Sequence, residues 1–77
     1  MSEGRREFGV SNLEYDLVIT LANLLQGVEV MKKYQQDAEQ AGDSEASKLF
    51  STLHDQNRDA AKEVHAVLAD YMSGKKK

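Results

Sequence analysis

The chain has 77 residues, so it forms one domain at most and lies near the lower size limit for burying a core on its own. Hydrophobic residues make up 40% and charged residues 30%, a balance that is typical of folded proteins and too apolar for a disordered one. The sequence contains no proline, which favours long uninterrupted helices. It contains no cysteine, which excludes a disulfide framework, a thiolate metal site and a cysteine nucleophile.

The charge distribution argues against a nucleic-acid partner, because a net charge of −3 offers no basic face to phosphates. The local exceptions, Arg5–Arg6 and Lys75–Lys77, belong to a predicted flexible arm at 1–10 and a basic tail at 74–77, and we expect both to be solvated. No apolar run approaches the roughly 20 residues that span a bilayer, and none resembles the core of a signal peptide. We therefore expect a cytoplasmic protein without a membrane partner.

The first helix is predicted over about 12–41 from signals at its N-terminus. Ser11 is a favourable N-cap and Glu14 follows three residues later, which is the arrangement of a capping box. Val10 and Tyr15 occupy the two positions of a hydrophobic staple. Three local signals therefore agree on where this helix begins.

An apolar stripe runs along this helix at alternating spacings of four and three residues, which place its members on one face. It comprises Leu17, Leu21, Leu24, Val28 and Met31, and Val18 and Leu25 widen it. Gly27 lies in the helix interior, where it costs about 1 kcal/mol relative to alanine unless a neighbouring helix approaches closely.

A second helix is predicted over about 44–73, directly after a tight turn. Gly42 suits the left-handed position that ends the first helix, and Asp43 or Ser44 can cap the second. Gly74 ends the second helix. Its inward stripe comprises Ala46, Phe50, Leu53, Asn57, Ala60, Val64, Val67 and Tyr71, broadened by Leu49, Ala61 and Leu68.

The connection of two or three residues makes the helices antiparallel, so the predicted fold is all-α, a two-helix hairpin over 11–73. A single hairpin buries only the strip between its helices and would leave Val18, Leu25, Leu49, Ala61 and Leu68 exposed. Pairing of two copies into a four-helix bundle would cover them. The predicted core and dimer interface comprises Leu17, Val18, Leu21, Leu24, Leu25, Val28, Leu49, Phe50, Leu53, Val64 and Leu68.

Three polar residues are candidates for a site in the bundle core. Facing residues should have numbers that add up to about 85, which places Glu29 level with Asn57 and Met31 level with His54. A buried amide needs a hydrogen bond, so Asn57 on the apolar seam is expected to set register or pairing, or to be the remnant of a polar site. Glu29 and His54 could both ligate a metal if a bundle brought them together.

The sequence contains no catalytic motif: no nucleophile–histidine–acid arrangement, no phosphate-binding glycine loop and no HExxH. We therefore predict no enzymatic activity, no catalytic residue, no resident metal and no cofactor.

The segment 25–63 resembles the helical hairpin of ferritin-like proteins, in particular the rubrerythrin-type and short ferritin-like families. The resemblance rests on GVE at 27–29, YQQDAEQAGDSEASKLF at 34–50 and LHDQNRDAAKEV at 53–64. It implies a four-helix bundle and, in active family members, a carboxylate-bridged di-iron site. The family's Glu-x-x-His motif reads Asn57-Arg58-Asp59-Ala60 here, so both of its ligands are missing, whereas Glu29 corresponds to the glutamate of the family's first helix.

Three hypotheses follow. The first is a non-catalytic ferritin-like hairpin that homodimerises and acts as a structural or protein-interaction module. The second is a residual metal-binding or redox protein that uses Glu29 and His54 across the dimer. The third is a regulator that contacts an anionic partner through its two basic tails.

Overall fold

The computed structural model describes residues 11–74, and these form an all-helical hairpin. Helix α1 spans Asn12–Gln40 and helix α2 spans Ser44–Met72, each with 29 residues. Both helices begin where the sequence pattern places them and end one residue earlier. The predicted arm at 1–10 and the lysines at 75–77 lie outside the described residues.

The start of α1 is fixed by reciprocal hydrogen bonds between Ser11 and Glu14. The backbone N–H of Glu14 donates to Ser11 Oγ at 3.1 Å, and the backbone N–H of Ser11 donates to Glu14 Oε1 at 3.2 Å. These two bonds confirm the predicted capping box and satisfy donors that have no partner inside the helix. Val10, the predicted partner of Tyr15 in a hydrophobic staple, lies outside the described residues.

Both helices end at a glycine in the left-handed conformation, with φ of 75° at Gly42 and 84° at Gly74. Residues other than glycine rarely adopt this backbone conformation, so glycine is favoured at the position that ends each helix. At Gly42 the turn closes in a Schellman motif, because the N–H of Gly42 donates to the carbonyl of Glu39 and that of Asp43 donates to the carbonyl of Ala38.

Asp43 caps α2 at once, which keeps the connection at three residues. Its Oδ1 atom accepts a hydrogen bond of 3.0 Å from the backbone N–H of Ala46. Because the chain reverses over so short a distance, α2 packs antiparallel along the full length of α1. The resulting hairpin measures 52 × 22 × 18 Å along its principal axes.

The residues of α1 and α2 that face each other are close to the predicted pairs. Tyr34 packs on Phe50 with ring centroids 5.5 Å apart, and Gly27 lies opposite Asn57. The residue numbers in each pair add up to 84, close to the expected value of about 85. The close approach at Gly27 is the condition under which a glycine in mid-helix was expected to be tolerated.

The contact between the helices buries little. Among the described residues Ala38, Ala61 and Leu68 are buried, and no side chain is fully enclosed. The expectation that Ala61 and Leu68 stay exposed in a single hairpin is wrong, since they are only 4% and 6% exposed, whereas Val67 of the expected stripe is exposed. The reason is the rotation of α2 about its own axis, which depends on packing across the two helices and turns the Ala61 edge of the stripe toward α1.

Candidate functional site

The three polar candidates do not form a common site within one chain. Glu29 is exposed, whereas His54 and Asn57 are half-buried. Asn57 directs its amide toward Gly27, and His54 Nδ1 lies 3.1 Å from Asp55 Oδ1. No group of three or more His, Asp or Glu side chains able to hold a metal occurs among residues 11–74.

His54 belongs to a small charged cluster that the sequence analysis did not identify. Arg58 lies 3.5 Å from Asp55 Oδ1 and 3.4 Å from Asp59 Oδ1, so it bridges the two carboxylates. Arg58 lies three residues after Asp55, a helical spacing that brings side chains together, whereas the His54–Asp55 and Arg58–Asp59 contacts join residues adjacent in the sequence. Exposed ion pairs of this kind contribute at most about 1 kcal/mol, so the cluster is a solvated surface feature.

The exposed apolar surface is more extensive than this charged cluster. Eight members of the predicted core and dimer interface line the contact between α1 and α2, where they are half-buried or buried: Leu17, Leu21, Leu24, Val28, Phe50, Leu53, Val64 and Leu68. The remaining three, Val18, Leu25 and Leu49, are 47%, 50% and 55% exposed. The structure thus divides the predicted set into an intramolecular seam and residues that one chain does not cover.

These exposed residues belong to a wider group. Ten large apolar side chains are exposed in the described part of the chain: Leu13, Tyr15, Val18, Ile19, Leu25, Val30, Tyr34, Leu49, Val67 and Met72. Single exposed apolar residues are normal on protein surfaces, but apolar residues that adjoin one another are typical of interaction sites.

Two of the grooves on the described hairpin adjoin exposed leucines, one between α1 and α2 and one at the start of α2. The first is lined by Leu21, Leu25, Arg58, Ala61, Lys62 and His65. The second lies near the turn beside Leu49, and its lining includes Asp43, Glu45, Lys48 and Thr52. Helical periodicity places Leu49 and Ala61 on opposite edges of α2, so a partner that covers the Leu25 groove does not cover Leu49.

Neither α1 nor α2 contains a stretch that is both long and apolar enough to cross a bilayer, within residues 11–74. Comparison of the sequence and structure with protein-family models, curated proteins and solved structures finds no match. The ferritin-like resemblance stays a prediction. The exposed apolar surface is therefore the feature on which a functional proposal can be based.

Proposed function

We propose that this protein is a non-catalytic helical module that homodimerises into a four-helix bundle and acts through protein interaction. The observation that supports the proposal is the imbalance between covered and uncovered apolar side chains. Three apolar residues are buried in the described hairpin, while ten large ones are exposed. A second layer of helices is the usual means by which such a surface is covered.

The free energy of burying the exposed apolar side chains favours association of two copies. Fully burying a leucine or valine side chain stabilises a fold by about 1.5–3 kcal/mol, and a small domain is stable by only about 5–15 kcal/mol in total. Covering even three exposed residues such as Val18, Leu25 and Ile19 would therefore add a large fraction of the stability of the hairpin. Folding and dimerisation are then expected to be coupled.

The interaction area available to a second copy is sufficient. A broad side of the hairpin measures 52 by 22 Å, or about 1,100 Å² in projection, whereas a stable interface needs about 800 Å² from each partner. A two-fold contact uses the same surface on both copies, so it covers the same exposed residues on both chains at once.

Thermal unfolding at several protein concentrations tests the proposal. If folding is coupled to dimerisation, each tenfold increase in concentration raises Tm by about 3–6 °C, because association stabilises the folded state by mass action. A Tm that is independent of concentration, together with full helicity at micromolar concentration, would contradict it. The alternative of a residual metal site built from Glu29 and His54 is a separate prediction, which metal analysis of protein purified without chelator tests.

A further inference from the structure

The exposed apolar residues concentrate at the end of the hairpin away from the turn. Seven of the ten lie there, five of them on the first half of α1 and two near the end of α2. On α1, helical spacing joins Tyr15, Val18, Ile19, Ala22 and Leu25 into one continuous strip beside the seam, which we call the α1 flank. All five of these residues are exposed.

Most of the first half of α1 also lacks charge, since its charged residues are Glu14 and Asp16 near the start. No Asp, Glu, Lys or Arg occurs from Leu17 to Val28; the leucines of the seam adjoin the α1 flank, and the uncharged polar residues Thr20, Asn23 and Gln26 occupy the remaining side of the helix. A helix that is apolar on most of its circumference is typical of the interior of an assembly, since water does not solvate it well. This half of α1 is therefore suited to lie between two helices rather than against one.

The groove next to the α1 flank has a matching composition. Its floor is apolar, formed by Leu21, Leu25 and Ala61, and its rim on α2 carries the cations Lys62 and Arg58, the latter also paired with Asp55 and Asp59, together with the imidazole of His65. No carboxylate lines it, among the described residues. Before Lys32, by contrast, the charged residues of α1 are all acidic, namely Glu14, Asp16 and Glu29.

Charge complementarity thus identifies the occupant. An apolar helix with only acidic charges fits an apolar groove with a basic rim, and the first half of α1 from a second copy is such a helix. The groove beside Leu49 fits it less well, because its own lining includes Asp43 and Glu45.

We propose that two copies pack through the α1 flank, with the first half of each α1 lying antiparallel to the other in the Leu25 groove of its partner. This inference rests on the proposed function, since it specifies where the homodimer forms. The two-fold axis passes close to Ala22, the smallest residue of the flank, which lies about midway between Val18 and Leu25 along α1. Val18 then packs beside Leu25 of the partner subunit, and the acidic residues of α1 face the basic rim of α2 in the other copy.

Cysteine cross-linking in the full chain tests this arrangement, because the sequence has no cysteine of its own. A22C and A66C are matched variants: both replace an exposed alanine at about the same level of the hairpin, one on the α1 flank and one on the outer side of α2. With a short bis-maleimide, A22C should give covalent dimers at least ten times faster than A66C. Circular dichroism of both variants verifies that they fold.

A second pair of cysteine variants tests whether the two α1 helices pack antiparallel or parallel. Antiparallel contact predicts that a mixture of V18C and L25C proteins cross-links more than either protein alone, whereas parallel contact predicts the reverse. Equal cross-linking of A22C and A66C, or none by A22C in protein that sediments as a dimer, would overturn this interface and leave the proposed homodimer intact. Wild-type protein that sediments as a monomer would overturn both the interface and the homodimer. If the A22C thiol in that monomer reacted slowly with a maleimide, residues 1–10 of the same chain would be the segment that covers the flank.

Discussion

Gly27 of α1 faces Asn57 of α2 so closely that a Cβ atom at position 27 would lie 2.6 Å from Asn57 Nδ2. That distance is well below van der Waals contact, so the amide keeps its place only because residue 27 has no side chain. Asn57 is a polar residue within the apolar stripe of α2, between Leu53 and Val64. We expect this pair to fix the level of α2 against α1, in the way that a buried asparagine sets register in coiled coils.

Replacing Gly27 with alanine should show this coupling. In the middle of a helix, Gly→Ala ordinarily stabilises by about 1 kcal/mol. In the wild-type background we expect that gain to be cancelled, because the amide end of the Asn57 side chain must rotate away from the new methyl group at a cost of about 1 kcal/mol. In an N57A background the obstruction is gone, and G27A should stabilise by about the full 1 kcal/mol.

The measurement is a double-mutant cycle on the free energy of unfolding from urea titrations of the four proteins. The expected coupling energy is about 1 kcal/mol, typical of residues in contact. If G27A had the same effect in both backgrounds, the contact between residues 27 and 57 would have no energetic significance.

Leu25→Asp should dissociate the dimer and lower the stability of the fold at the same time. An aspartate there would bring a charge into an apolar interface, and the nearby Arg58 and Lys62 offset only part of its desolvation, so the dimer should weaken by about tenfold or more. Leu49→Asp is the matched control, since Leu49 is 55% exposed and Leu25 is 50% exposed, on opposite edges of the seam. Sedimentation velocity of both variants should give a monomer for L25D and a dimer for L49D. The opposite result would place the interface on the Leu49 side.

Asp43→Ala should destabilise the hairpin by about 1 kcal/mol, because it removes the carboxylate that accepts from the backbone N–H of Ala46. Ser44→Ala is the control: Ser44 is the exposed first residue of α2, and its replacement should stay within about 0.5 kcal/mol of wild type. Urea midpoints measured at one fixed protein concentration compare the two. Equal midpoints would mean that the Asp43 cap does not contribute to stability.

The local structure of this chain was predictable because its signals are short-range. The Ser11–Glu14 capping box and the left-handed Gly42 depend on residues that are three to five positions apart, and each has one clear structural solution. The register of α2 against α1 was also predictable, because a three-residue connection leaves little freedom in how α2 returns along α1.

The rotation of α2 about its axis was not predictable from the same pattern. Both Val67 and Leu68 fit an apolar stripe of realistic width, and the choice between them depends on which side chains of α1 lie opposite. The contacts of Arg58 with Asp55 and Asp59 could not be predicted from the sequence either. Several charged residues lie within reach of each of these side chains along the helix, and only the side-chain positions show which of them pair.

The candidate site shows the same division. The sequence correctly indicated that Val18, Leu25 and Leu49 would be left exposed by a single hairpin, because each lies beside the inward stripe and not on it. It did not indicate that Leu25 and Leu49 occupy opposite sides, which matters because one partner cannot cover both. That distinction needs the three-dimensional course of both helices.

Sedimentation equilibrium of the full chain at micromolar concentration tests the central claim most directly, because it reports mass without reference to shape. We expect a species of about 17 kDa, twice the 8.6 kDa of one chain, that dissociates on dilution with loss of helicity. A stable, fully helical species of 8.6 kDa across the concentration series would contradict it.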